Sequence, residues 1–260
     1  TWLGYFATTG APGIDYWLTD EVLHPPDTRE QSSEQIWRLP GGYLTYEIPA
    51  EMPLPGLKTP ETPRPLRLGS FNQLQKISDT CLELWGRVLQ ALPTAELWLK
   101  TRHLDDSGVR RRLEQRAARQ GLDPARLRYL ASTPDRVSHL ACYDQIDIAL
   151  DTFPYSGCTT TCEALAMGVP VVTLAGERMV SRMSASVLTA AGCTDWVATD
   201  ADAFVQRLQS LADLGPRNAT HRRQLQARVA SSPLCDLDGF ARQFATGLDQ
   251  LVQRVVTSGS

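Results

Sequence analysis

Lysine is scarce in this chain: Lys58, Lys76 and Lys100 are the only three among 26 basic residues, so a lysine beside a candidate site stands out. The 29 acidic residues leave a formal net charge of −3 and a pI of about 5.8, which argues against a general nucleic-acid binder. The basic clusters Arg110-Arg111-Arg112 and Arg222-Arg223 fall in helix-like stretches and read as solvated faces. No apolar run approaches the length that spans a bilayer and no signal peptide heads the sequence, so neither a membrane nor a secretory route is indicated. The six cysteines lack the dense, regular spacing of a secreted scaffold and suit a reducing cytoplasm. Cys158 and Cys162 stand four apart without a nearby His or a second pair, which sets a metal site aside. No G-x-G-x-x-G follows a strand, no Walker Lys-Ser/Thr follows a glycine loop, no G-x-S-x-G elbow occurs, and no internal repeat is found.

What is present is an ordinary globular composition, 42% hydrophobic and 21% charged, over 260 residues, enough for one large or two modest domains. Residues 49–65 are too rich in proline for a helix or central strand and read as a linker between a segment 1–48 and the remainder. Beyond it, strand-like runs at 66–71, 96–101, 127–131, 146–150, 169–174 and 196–198 alternate with helix-like runs at 79–92, 109–120, 135–143, 162–167 and 180–191. Helices near 201–213, 216–230 and 237–255 close the chain. This alternation predicts an α/β fold, a Rossmann-like lobe over 66–235 whose parallel sheet is covered on both faces, with a separate carboxyl-terminal helix and tail over 236–260. Ligands of such sheets bind outside the carboxyl ends of the strands.

One strand end is richest in chemistry. The strand Ile146 to Leu150 runs into Pro154 and Gly157, and the hydroxyls of Thr159, Thr160 and Thr161 then stand where the free amides of the next helix should point. An anion there would meet backbone donors, a positive helix end and hydroxyls together; an N-cap role for Thr159 or Thr160 is the plainer alternative. Three other strand ends carry candidates. Ser70 to Lys76 places Lys76 at the first strand of the lobe, where a surface charge is the competing reading. Ser132 to His139 could frame a planar base, against a helix histidine with ordinary partners. Gly176 to Arg182 follows the strand ending at Leu174. The D-x-D triplets at Asp200 and Asp236 each open a helix and read as caps.

Taken in order, these segments resemble the carboxyl-terminal half of the O-linked N-acetylglucosamine transferase family, which includes SPINDLY-type O-fucosyltransferases and bacterial tetratricopeptide-linked members. The resemblance rests on Trp2-Leu3-Gly4-Tyr5 with Thr8-Thr9-Gly10-Ala11, Asp15-Tyr16 and Thr19-Asp20, and on Phe71-Asn72-Gln73-Leu74-Gln75-Lys76. It continues through the loop from Leu150 to Thr160, Gly168-Val169-Pro170-Val171-Val172-Thr173, Gly176-Glu177 with Ser181-Arg182, and Ser231-Ser232-Pro233-Leu234.

The resemblance implies a GT-B fold and an inverting, metal-independent transfer of a sugar from a nucleotide donor to protein Ser or Thr, with no cofactor beyond the donor. It implies that Lys76, the catalytic candidate, contacts the diphosphate together with Thr159 and Thr160 in the Gly157-Cys158 loop. Glu163 would take the ribose, Ser132, Thr133, Arg136 and His139 would surround the base, Gln73 would join the donor site, and Leu3 and Gly4 would lie near the sugar. Cys158 and Glu163 stand where animal members carry His and Asp, so the donor, UDP-N-acetylglucosamine or GDP-fucose, stays open. The same resemblance makes 1–48 a remnant of an amino-terminal lobe, with most of that lobe, its proposed catalytic histidine and upstream tetratricopeptide repeats expected outside this chain. A non-catalytic nucleotide-sugar-binding module and another GT-B enzyme, such as a sugar-nucleotide epimerase, are the alternative functions.

Overall fold

A computed structural model describes residues 1–53, 64–215 and 218–258; most of the expected linker, 54–63, and the expected helix start at 216 lie outside them. Strands β1 (Tyr16–Thr19) and β2 (Gln35–Arg38) pair in parallel in a small sheet near the amino terminus. The main sheet takes β3 (Arg67–Ser70), β4 (Glu96–Leu99), β5 (Leu127–Tyr129), β6 (Ile148–Leu150), β7 (Val171–Leu174) and β8 (Val197–Ala198). Its order is β5-β4-β3-β6-β7-β8, and every pairing is parallel.

Alternation along the strands explains why both faces are covered. Ile148 and Leu150 of β6 join Leu68, Leu97, Leu99 and Val172 on one face. That face packs on α1 (Asp79–Ala91), α2 (Ser107–Arg119) and α6 (Ala201–Asp213) through Trp85, Val88, Leu113, Phe204 and Leu208. Ala149 points the other way with Val171, toward Leu140 of α3 (Arg136–Ala141), Leu165 of α4 (Thr159–Ala166), Leu188 of α5 (Met183–Ala190) and Leu225 and Val229 of α7 (Ala219–Ala230). The last helix, α8, spans Leu237–Ser258. None of the described helices is long and apolar enough to cross a membrane.

Several boundaries differ from expectation for local reasons. β6 starts at Ile148 because the Ile146 amide still closes a turn on Tyr143, and β7 starts at Val171 because the Val169 amide bonds Ala164 and Pro170 has none to give. α4 ends at Ala166, and the chain turns away through Gly168, whose φ is +70° and whose missing Cβ would sit 2.5 Å from the Arg222 carbonyl oxygen. α5 begins three residues later than expected, after a short turn at Met179–Ser181 in which the Ser181 hydroxyl bonds the Arg178 carbonyl. α4 begins at Thr159 where 162 was expected, so all three threonines are helical.

The amino-terminal segment is built into the rest of the chain. Trp17, Leu23 and Tyr43 share a core with Met179 and Met183. The buried Asp20 carboxylate accepts from the amides of Val22, Leu23 and Tyr43 and from the Ser186 hydroxyl of α5. The Trp2 ring packs 4.6 Å from Phe244 and 6.3 Å from Phe240, and Trp37 donates to the Gly247 carbonyl, so α8 lies against this segment.

Candidate functional site

β3 and β6 are neighbours in space although two strands separate them in sequence; the chain winds outward from β3 on one side and from β6 on the other. The crevice at the carboxyl ends of such a pair is where open α/β sheets hold ligands. β3 delivers the segment from Phe71 to Lys76 there, and β6 delivers the loop from Asp151 into α4.

At the α4 end the loop is organised by Asp151, which is buried. Its carboxylate accepts from the amides of Thr152 (2.8 Å) and Gly157 (2.6 Å) and from the Thr173 hydroxyl (2.7 Å). Burial pushes this carboxyl above the usual carboxylate range, and those bonds counter it. A Cβ on Gly157 would lie 2.7 Å from Thr161 Oγ1 and 3.0 Å from Asp151 Oδ1, so the turn has room for glycine alone. α1, α2, α3, α6 and α7 each begin on a side-chain cap, from Ser78, Asp106, Asp135, Asp200 and Asn218. α4 has none: its cap position is Cys158, which makes no side-chain bond to the helix. The plain N-cap role for Thr159 or Thr160 therefore does not apply. The first bonds of α4 run from Thr161 and Cys162 to the Cys158 carbonyl, leaving the amides of Thr159 and Thr160 ahead of them at the positive helix end.

Lys76 reaches this helix end. Its Nζ donates to the Ser156 carbonyl at 2.8 Å and lies 4.1 Å from the centre of the Tyr155 ring. Burial lowers its pKa, against the pull of Asp151 and Cys158. The Cys158 thiol is pushed up to about 11 by burial, with Lys76 opposing. The Thr160 hydroxyl donates to Asn72 Oδ1 at 2.9 Å, so an anion at this end would meet the Thr160 amide in preference to its hydroxyl, while Thr159 is exposed.

One helical turn on, Glu163 Oε2 stands 3.3 Å from His139 Nε2 and 3.5 Å from the Tyr143 hydroxyl. His139 leads into a cleft of about 720 Å³ whose lining includes Phe71, Gln73, Lys100, Ser132, Thr133 and Arg136. Phe71 and His139 line the cleft with their rings 6.1 Å apart, and the buried Tyr143 ring packs behind Phe71 at 4.5 Å. The Ser132 amide is already bonded to Asp105, which leaves fewer backbone donors in this loop than the sequence suggested.

The structure thus joins Gln73, Lys76, Ser132, Thr133, Arg136, His139, Gly157, Cys158, Thr159, Thr160 and Glu163 along one edge of the sheet. Leu3 and Gly4 stand apart from the cleft lining. Both are exposed, Leu3 has a φ of +59°, and its amide bonds the Tyr43 hydroxyl. Their segment approaches the α4 loop through Phe6, whose ring packs 5.7 Å from Tyr155, and through Tyr43, whose apolar cluster takes in Cys158. Arg182 is turned away: it bonds the carbonyls of Val22 and Gly176 and ties the amino-terminal segment down. Asp200 and Asp236 accept from helix-opening amides, as caps do. No group of three or more His, Cys, Asp or Glu is placed to hold a metal ion among the described residues. The sequence reading missed Asp151, Asn72, Tyr143 and Lys100; for Lys100 a signal existed, a rare lysine at the end of a strand.

Comparison with known proteins fits this geometry. An O-GlcNAc transferase of Thermobaculum terrenum superposes with a TM-score of 0.84 at 34% identity, over 100% of this chain and 49% of that one. Proteins of Oryza sativa subsp. japonica and Arabidopsis thaliana, both named probable UDP-N-acetylglucosamine-peptide N-acetylglucosaminyltransferase SPINDLY, are 37% and 38% identical over 93% of this chain. The chain spans 26% of the length of each of those two. A sucrose-phosphate synthase of Thermosynechococcus elongatus, 16% identical with a TM-score of 0.52 over 86% of this chain and 54% of that one, shares the fold alone. The fold is α/β of the GT-B kind. The description of glycosyl transferase family 41 matches residues 64–244, and on that match the chain belongs to this family.

Proposed function

We propose that this chain is the donor-binding part of a protein O-glycosyltransferase that moves N-acetylglucosamine from UDP-N-acetylglucosamine to Ser or Thr hydroxyls, with inversion and without a metal ion. The carrying observation is the uncapped start of α4 facing Lys76, one helical turn from a base-sized cleft and linked to it by the Glu163–His139 contact. A nucleoside diphosphate fits that arrangement: phosphates at the helix end, ribose toward Glu163, base toward His139 and Thr133. The names of the matched relatives support the uridine donor over GDP-fucose.

In the transfer step the acceptor oxygen attacks the anomeric carbon as the bond to the departing diphosphate breaks. Negative charge grows on that diphosphate, and Lys76 and the α4 amides stand where they would stabilise it. The acceptor hydroxyl gives up its proton to a base, the role that the resemblance assigns to a histidine of the amino-terminal lobe. In the full-length protein, tetratricopeptide repeats upstream would present the acceptor, and the free thiols of all six cysteines suit a cytoplasmic setting.

Calorimetry with UDP and GDP in excess chelator tests the binding half of this reading, and transfer of labelled UDP-N-acetylglucosamine by the full-length protein tests the rest. UDP binding unaffected by chelator is the expected result. Binding that disappears with chelator and returns with magnesium would overturn the metal-free reading, and transfer from GDP-fucose alone would overturn the donor.

A further inference from the structure

We propose that Lys100 is a positioning residue of this site: it fixes the tautomer and ring plane of His139 and ties down the Thr133 loop on the base side of the cleft. The inference rests on the reading of the cleft as a nucleotide site and adds to it a residue that acts through another.

Lys100 follows directly on β4, where the strand end opens on the cleft, and its side chain lines that cleft while the residue is only 6% exposed. Lysines are seldom this buried unless paired, since an ammonium loses its hydration there. Among the described residues no carboxylate lies within 4.0 Å of Lys100. Its partners are a hydroxyl and an imidazole: Nζ stands 3.1 Å from Thr133 Oγ1 and 2.9 Å from His139 Nδ1.

An ammonium group has three donors and no acceptor. At 2.9 Å the lone pair must therefore come from His139 Nδ1, which places the ring proton on Nε2, the nitrogen that faces Glu163 Oε2 at 3.3 Å. Lys100, His139 and Glu163 form a directed chain, N–H to lone pair and then N–H to carboxylate, running from β4 through α3 to α4. The imidazole is held at both nitrogens: a proton moved to Nδ1 would face a donor with a donor, and a half-turn of the ring would put carbons where the nitrogens stand. The second donor of Lys100 holds the Thr133 hydroxyl, and the third is left for an acceptor in the cleft, such as a carbonyl oxygen of a base. Arg102, His103, Asp105, Asp135, Arg136 and Cys142 are the other charged or titratable groups around this end of the cleft.

Nitrogen-15 NMR of the imidazole rings reads the tautomer directly, with His139→Gln assigning the signal among the four histidines. In the 260-residue chain His139 is expected to show a protonated Nε2 and a bare Nδ1. Lys100→Met should mix the tautomers, and Lys100→Arg, which keeps N–H donors, should restore the Nε2 proton. Calorimetry with UDP and with inorganic pyrophosphate separates the base side from the phosphate side. Lys100→Met should weaken UDP by at least about tenfold, as expected for loss of a charge-assisted bond and its dependants, and leave pyrophosphate unchanged. A proton found on Nδ1 of the unmodified chain would overturn the proposal without any variant. Unchanged UDP affinity and tautomer in Lys100→Met would also overturn it while leaving the donor reading intact. Failure of the unmodified chain to bind UDP would instead remove the donor reading, and the tautomer would still decide the pairing.

Discussion

Single side chains carry the sharpest consequences. Lys76 sits between the Ser156 carbonyl and the Tyr155 ring at the start of α4, so its charge faces the place of the phosphates and not of the base. Lys76→Ala should therefore weaken UDP far more than uridine: a charge-assisted contact contributes about 1.5–3 kcal/mol, which is a loss of at least roughly tenfold by calorimetry. Equal losses for both ligands would place Lys76 elsewhere in function. Glu34 makes a second case, unconnected with the cleft. Burial opposes its charge, but the hydroxyls of Thr9 and Thr8 and the Thr9 amide outweigh burial and hold its carboxyl at about 2, from an ordinary 4.5. A folded pKa below the unfolded one adds stability that is complete above about pH 4.5 and is lost as pH falls toward 2. Acid titration followed by circular dichroism should show this loss, and Glu34→Gln should lower stability at pH 7 and flatten the curve between those values. At this scale Lys76 and His139 stood out as candidates because each is a chemically distinctive residue following a strand end, whereas Glu163 was named only through the family resemblance. Asp151 did not stand out, because a buried carboxylate that only orders its own loop has the same letter as any other aspartate.

Elements rather than residues set the anion site. α4 begins without a side-chain cap, as α5 does and unlike five other helices, and the tight turn before it depends on Gly157. Gly157→Ala would press a methyl group against Thr160 and Thr161 hydroxyls and Asp151. Overpacking of this kind costs about 1–3 kcal/mol, and it moves the helix start whatever the total. A lower melting temperature with UDP affinity down by more than about tenfold is expected; an alanine variant with normal UDP affinity would show that the turn geometry is dispensable. The helical periodicity of the chain was sufficient to place α1 and α6 within a few residues, since each combines an apolar stripe with a polar cap. It put the start of α4 a turn late, because three successive threonines look like a loop until the buried Thr161 and Cys162 show that the helix is already formed there.

For the whole molecule, Asp20 orders the Val22, Leu23 and Tyr43 amides of the amino-terminal segment and joins that segment to the main lobe through the Ser186 hydroxyl. Asp20→Ala would leave three amides and the Ser186 hydroxyl without their acceptor, at an expected cost of about 2–4 kcal/mol. Hydrogen exchange should then report loss of protection in β1 and at the α5 contact together. If only the residues next to position 20 exchange faster, the two parts are less coupled than the contacts imply. By itself the sequence determined the alternation of strands and helices, the parallel sheet and the ordered motifs of family 41, because these depend on local periodicity and on residue types at fixed spacings. Only the tertiary structure decided that Lys100 meets His139, that Asn72 takes the Thr160 hydroxyl, and that the Leu3 amide meets the Tyr43 hydroxyl. These contacts bring together residues 39, 88 and 40 positions apart, and their geometry follows from sheet order and helix packing, which no local pattern encodes.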